Sequence, residues 1–228
     1  MRDIKHFLKK TWIYRWIYNP IMISKAKRFI AHRQMIFQQN GLELLFKFVE
    51  CMAEHNITYW LEFGTLLGVY RDKAFIPNDL DLDVGTDLSN ANSMYQALTK
   101  SGFRLVREFH VVGENGLEQT YEYKGVTIDI MYFYLKEGYL WCNGVSLPTR
   151  RQWGKLTRAQ VTAHWFTPFK TKSFKCFDTI VSVPENTEQH LIEIFGDGYK
   201  IYDPDFPGDL NKIRYSIKEK VATGFVYY

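Results

Sequence analysis

Apolar and polar positions along the chain recur at two spacings. From Gly41 to about His55, Leu45, Phe48, Val49 and Met52 fall at i, i+3, i+4 and i+7, which predicts a helix with one face on a core. Ile57 to Glu62 reads as a first strand. From Asp79 to Asp83 the period shortens to two, with Leu80 and Leu82 between acids, the alternation of a strand. After Gly85-Thr86-Asp87 a helix is predicted from Leu88 to Lys100, with Ala91, Met94, Tyr95 and Leu98 inward and Ser101-Gly102 stopping it. Strands follow at Phe103 to Val112, Glu118 to Tyr123 and Val126 to Tyr134, and Glu137-Gly138 turns the chain into Tyr139-Leu140-Trp141. Another strand is expected from Phe177 to Val183 and a helix from Glu185 to Phe195. Interleaved helices and strands predict an α/β (α+β) fold, with residues 41–228 as one domain behind an arm of residues 1–40.

Composition supports a folded domain. Hydrophobic residues make up 46% of the 228 and aromatic residues 17%, well away from a disordered chain. Cys51, Cys142 and Cys176 are odd in number and widely spaced, which predicts neither a disulfide frame nor a zinc knuckle. No stretch reaches the roughly 18 apolar residues of a spanning helix, and no signal peptide is recognisable, so a cytoplasmic location is expected. The charge is uneven. Residues 1–33 hold nine basic residues against one acid, giving +8; the remainder, twenty against twenty-four, stands at −4. The basic residues alternate with Phe7, Trp12, Tyr14, Trp16 and Tyr18, a pattern suited to peripheral contact with an anionic membrane, on its inner face. A helical arm packed on its own domain fits equally, and nucleic acid is the less favoured partner. Asn19-Pro20 is expected to interrupt the arm.

The chemistry concentrates at Asp79, Asp81 and Asp83. Side chains two apart on a strand share a face about 7 Å apart, so the acids present a surface that a divalent metal would neutralise. An EF-hand loop counted from Asp79 would need glycine and glutamate where Val84 and Asn90 stand. Upstream, Gly64-Thr65 opens a short helical run and is read as a phosphate seat, with glycine allowing close approach and Thr65 capping the helix. Arg71 and Lys73, between seat and acids, are expected to touch donor phosphates, Arg71 foremost. Asp129 is a lone acid in the apolar strand Val126 to Met131, costly unless coordinated, and is the natural third ligand. Spacing alone leaves open whether Asp79 with Asp81, or Asp81 with Asp83, forms the metal pair.

The run from Gly64 to Asp83, Gly-Thr-Leu-Leu-Gly, Arg71, then Ile76-Pro77-Asn78-Asp79-Leu80-Asp81-Leu82-Asp83, resembles the LicD/fukutin-type phosphotransferases of the nucleotidyltransferase-fold superfamily, with Asn78 where that pattern has Trp. The resemblance implies a nucleotidyltransferase-like mixed β-sheet flanked by helices. It implies transfer of phosphocholine, phosphoribitol or phosphoglycerol from a CDP-linked donor to a hydroxyl of a cell-surface glycan, such as lipopolysaccharide or capsule, or its lipid-linked precursor. It assigns Asp81, Asp83 and Asp129 to Mg²⁺ or Mn²⁺ and to catalysis, and Asp79 to orienting them. The family's C-terminal Tyr-Gly-Asp-Trp is met here by Phe195-Gly196-Asp197-Gly198. Nucleotidyl transfer from the same site, and a non-catalytic subunit of a glycan-assembly complex, are the alternatives. Arg150, Arg151, Lys155 and Arg158 around Trp153 read as a mobile acceptor loop or a solvated surface, and His164 as structural.

Overall fold

The computed structural model describes residues 19–111, 113–146, 154–201 and 221–226. Its first element, helix α1 (Asn19–Glu54), is 36 residues long. It starts where a break was expected, because proline in a first turn has no N–H to leave unpaired. It also runs through Asn40-Gly41, where the helix was expected to begin. Phe37 packs on Gly41, its ring 3.3 Å from where a Cβ would stand, and its buried face with Leu44, Leu45, Phe48 and Met52 offsets the glycine.

Strand β1 (Trp60–Leu61) is only two residues long and pairs antiparallel with β2 (Asp81–Asp87). Between them lie the five-residue helix α2 (Phe63–Leu67) and a π-turn, Gly68–Asp72. Helix α3 (Ala91–Lys100) follows a 3-10 turn at Leu88–Asn90, whose first free N–H, that of Ser89, is accepted by Asp87 at 2.8 Å. Strands β3 (Arg104–Val111), β4 (Leu117–Tyr123), β5 (Val126–Lys136) and β6 (Tyr139–Ser146) run on through tight turns. Then come β7 (Gly154–Phe166), the separate hairpin β8 (Thr171–Cys176) and β9 (Thr179–Pro184), helix α4 (Thr187–Phe195), and β10 (Val221–Val226).

The main sheet is mixed, eight strands in the order β1-β2-β5-β4-β3-β10-β7-β6, with β6 also pairing the end of β5 at Tyr134–Lys136. Among the described residues only β2 and β5 run parallel. Alternation decides what each face does. Leu82, Val84, Ile128, Ile130 and Tyr132 are fully buried in the core with α1 and with Met94 and Leu98 of α3, which turns Asp81, Asp83 and Asp129 to the opposite face. A second cluster of Trp60, Phe63, Phe133, Cys142, Phe166 and Ile194 packs near the other end of the β2–β5 pair.

Of the stretch read as an acceptor loop or a solvated surface, the part among the described residues is strand. Lys155 and Arg158 lie in β7, where β10 supplies main-chain partners whatever the side chains are. Arg150, Arg151 and Trp153 and the aromatic arm up to residue 18 lie outside the described residues. The three cysteines are buried and free. Among the described residues no helix is long and apolar enough to cross a membrane.

Candidate active site

The parallel pairing of β2 with β5 sets Asp83 directly across from Asp129, and Asp81 across from Thr127. Neighbouring strands lie about 4.8 Å apart, so three acids share a small patch of one sheet face. Asp79 joins them from the loop before β2. Its Oδ1 lies 3.5 Å, and the Oδ2 of Asp83 3.7 Å, from where a Cβ on Gly64 would stand. Glycine at 64 therefore leaves a space over two carboxylates that any side chain would fill.

Thr65 does a different job from the cap expected of it. It is the third residue of α2, and its hydroxyl accepts the backbone N–H of Asp83 at 2.8 Å. The N-terminal position falls to Glu62, whose side chain makes no cap bond. Thr65 thus ties the glycine turn to the acidic strand.

Asp79, Asp81 and Asp83 resist ionisation together. Burial and then Asp81 push Asp79 up to about 7. Burial and Asp129 push Asp81 up to about 6, against the opposing pull of Arg33 and Arg107. Asp83 is driven well above the usual carboxylate range, first by burial and then by Asp81, Asp129, Asp79 and Glu62. Asp79 Oδ2 is buried without a hydrogen-bond partner among the described residues.

Two arginines flank the row, and neither was singled out from the sequence. Arg107 of β3 donates to Thr120 Oγ1 at 3.0 Å, Glu118 Oε1 at 3.0 Å and Asp129 Oδ2 at 3.2 Å. Thr120 in turn donates to Asp129 Oδ1 at 2.5 Å, fixing that carboxylate. Glu118 accepts the Val145 N–H at 2.8 Å, and burial pushes it up to about 7 although Arg107 opposes. Arg33 of α1 donates to the Leu80 carbonyl at 3.0 Å and to Thr127 Oγ1 at 2.9 Å, with Asp81 Oδ2 at 3.6 Å.

The cations that the sequence favoured are engaged elsewhere. Arg71 forms a two-point pair with Asp72 at 2.8 and 2.7 Å and donates to the Tyr199 carbonyl at 3.0 Å. Lys73 donates to the Tyr70 carbonyl at 2.9 Å and lies over the Phe174 ring at 4.2 Å.

As the side chains stand, no three His, Cys, Asp or Glu among the described residues form a ready-made metal cage. The donor set nevertheless suits a hard cation. The ligating atoms of Asp81, Asp83 and Asp129 would all be carboxylate oxygens, the Asp79 oxygen beside them is buried and unpaired, and the raised proton affinity of Asp81 and Asp83 marks uncompensated negative charge.

Residues 56–186, more than half of the chain, match the family model described as LicD/FKTN/FKRP, nucleotidyltransferase domain. This chain belongs to that family. Ribitol-5-phosphate transferase FKTN of Mus musculus is 29% identical over 169 residues, 73% of this chain and 34% of that protein. The FKTN of Macaca fascicularis is 29% identical over 209 residues, 88% of this chain and 43% of that protein. The chain therefore spans less than half the length of these curated relatives. Among solved structures, lincosamide antibiotic adenylyltransferase LnuA with lincomycin bound is similar at a TM-score of 0.44 and 17% identity, over 75% of this chain and 96% of that one.

In this LicD-family chain the glycine turn is braced from behind. Glu62, fully buried, accepts Trp60 Nε1–H at 2.6 Å and pairs with His190 Nε2 of α4 at 2.7 Å. Its backbone N–H donates to the Asp83 carbonyl at 3.0 Å. His164, expected to be structural, packs against Phe63 with ring centroids 5.7 Å apart, and burial lowers it to about 4 although Glu62 opposes.

Proposed function

We propose that this chain is a metal-dependent transferase that moves a phospho-alcohol of the ribitol phosphate, phosphocholine or glycerol phosphate type. The donor is CDP-linked, and the acceptor is a hydroxyl of a cell-surface glycan or its lipid-linked precursor. The observation that carries this reading is the direct register of Asp83 with Asp129, with Asp81 two residues away on the same face and Gly64 beside them. The curated relatives, ribitol-5-phosphate transferases by name, support it.

Asp81, Asp83 and Asp129 would hold Mg²⁺, or Mn²⁺ in its stead, and the bound ion would supply positive charge to the donor diphosphate and to the departing CMP. Asp79 orients that row from the preceding loop. Gly64 leaves room for the diphosphate, while Thr65 keeps the turn at a fixed distance from Asp83. The acceptor hydroxyl attacks the phosphorus that bears the alcohol, and the bond to CMP breaks. We assign the hydroxyl proton to a carboxylate of the row, Asp129. Lys25, Lys27, Arg28 and Phe29, exposed on α1, support peripheral contact with an anionic membrane surface, on its cytoplasmic face.

The test is incubation of the purified protein and Mg²⁺ with CDP-ribitol, CDP-glycerol, CDP-choline and nucleoside triphosphates. Release of CMP, abolished by Asp83→Asn, is the expected result. Pyrophosphate released from a triphosphate would replace the reading with nucleotidyl transfer. Neither product, from any donor, would make the chain a non-catalytic subunit.

A further inference from the structure

We propose that Arg33, on α1 and outside the family-matched residues 56–186, is a substrate-binding residue that holds a phosphate of the donor's diphosphate. This rests on the carboxylate row being a CDP-donor site. It gives Arg33 the role that the sequence suggested for Arg71.

Arg33 reaches the mouth of the row from a distance in sequence, 47 residues from Leu80 and 94 from Thr127. Both of those hydrogen bonds come from a single nitrogen, Nη2, and both go to neutral oxygens. A guanidinium carries five N–H groups, so two contacts leave most of the fork unspent. Among the described residues its Nε and Nη1 hydrogens have no partner. The carboxylate of Asp81 is 3.6 Å away, beyond hydrogen-bond length, and the Arg33 side chain keeps 30% of its surface exposed. A long, half-open ion pair of that kind is worth little to stability. The group is thus positioned by neutral acceptors, charged, and keeps its Nε and Nη1 hydrogens for charge-assisted bonds to phosphate oxygens.

Arg71 and Arg107 are differently committed. Arg71 is spent on Asp72 and Tyr199, and Arg107 on Glu118, Thr120 and Asp129. A second contact fastens α1 to the same loop. Gln34, the next residue, donates at 3.4 Å to Asn78, the position at which this chain departs from the family's Trp. The helix therefore forms one wall of the site.

Calorimetric titration of CDP in the presence of Mg²⁺, on wild type, Arg33→Gln and Arg33→Lys, tests the proposal, with thermal midpoints taken without nucleotide. Loss of a charge-assisted hydrogen bond to phosphate should weaken CDP binding by about tenfold to a hundredfold in Arg33→Gln, with Lys restoring only part. With CDP-ribitol as donor, KM should rise by the same factor while kcat changes by less than about threefold. A strut that merely held α1 in place would lower the midpoint without this split. Equal CDP affinity in a folded Arg33→Gln protein overturns the role of Arg33 and leaves the donor site standing. Wild type that neither binds CDP nor consumes any CDP-alcohol overturns both. If the Gln variant does not fold, Arg33→Lys decides: unchanged affinity overturns the proposal, and affinity several-fold weaker sustains it.

Discussion

Asp83 and Asp129 face each other across a parallel strand pair, each on the sheet face turned away from the apolar core. Two half-buried acids in direct register oppose folding unless something neutralises them. Replacing Asp81, Asp83 or Asp129 with Asn should lower turnover by about two orders of magnitude or more. The same Asp83→Asn change should raise the thermal midpoint of the metal-free protein, since it removes repulsion. Mg²⁺ should then raise the midpoint of wild type but not of the variant. Thermal scans with and without Mg²⁺, beside a CMP-release assay, check both halves. Normal turnover in all three variants would sink the assignment.

Asp79 supplies a pH dependence with a definite sign. Its carboxyl titrates near 7 in the folded protein against 3.8 in an unfolded chain. Its stabilising contribution is therefore fully present below 3.8 and is lost as the pH rises through about 7. Asp79→Asn should match wild type near pH 4, gain on it as the pH climbs towards 7, and be clearly more stable at pH 8 when metal is absent. Midpoints across that range, wild type against variant in EDTA, read this directly. A difference independent of pH would mean that Asp79 is not held in a charge-hostile place.

Gly68 and Gly64 should respond in opposite ways to alanine. A Cβ at position 68 would stand 2.6 Å from the Ala74 carbonyl oxygen and 3.0 Å from the Ile76 nitrogen, both backbone atoms. The loop returning to Asp79 must shift, and Gly68→Ala should cost about 1–3 kcal/mol in urea unfolding. At Gly64 the atoms nearest the added carbon are carboxylate oxygens at 3.5–3.9 Å, an ordinary contact. Gly64→Ala should therefore fold normally, yet lose turnover and stabilisation by Mg²⁺, because it fills the space the donor needs.

What the sequence revealed about this site was local, and what it hid depends on distant partners. Alternation placed Asp81 and Asp83 on one face, and a lone acid among apolar residues marked Asp129, since both patterns are properties of single strands. Arg33 was one of nine basic residues in its segment, and nothing local distinguished the one that folds back onto Leu80 and Thr127. The Asn40-Gly41 step looked like a helix start because glycine propensity is local, whereas the Phe37 ring covering it comes from packing. β7 escaped notice for a similar reason. Its charged first half is held by β10, whose residues lie more than 50 positions further on. Thr65 carried a cap's identity at a cap's place, but the Asp83 N–H, 18 residues away, took its oxygen.

The Trp60–Glu62–His190 arrangement should act as one energetic unit. Glu62 accepts from two buried groups at once, and the His190 side chain is fully buried. Glu62→Ala would strand both partners, and the cost of breaking a buried pair from one side is about 3–5 kcal/mol. Once Glu62 is gone, removing His190 forfeits its packing on Phe166 and Phe169 but breaks no buried pair. The double variant Glu62→Ala/His190→Ala should accordingly lose less stability than the two single losses added together, by about 1–3 kcal/mol. Guanidinium unfolding of the four proteins gives that coupling, and additivity within about 0.5 kcal/mol would count against a shared network. The consequence reaches the active site because the Glu62 backbone N–H holds the Asp83 carbonyl at 3.0 Å. Loosening Glu62 should therefore weaken the stabilisation by Mg²⁺ even though Glu62 carries no atom to the carboxylate row, whereas a brace serving the core alone would leave that stabilisation unchanged.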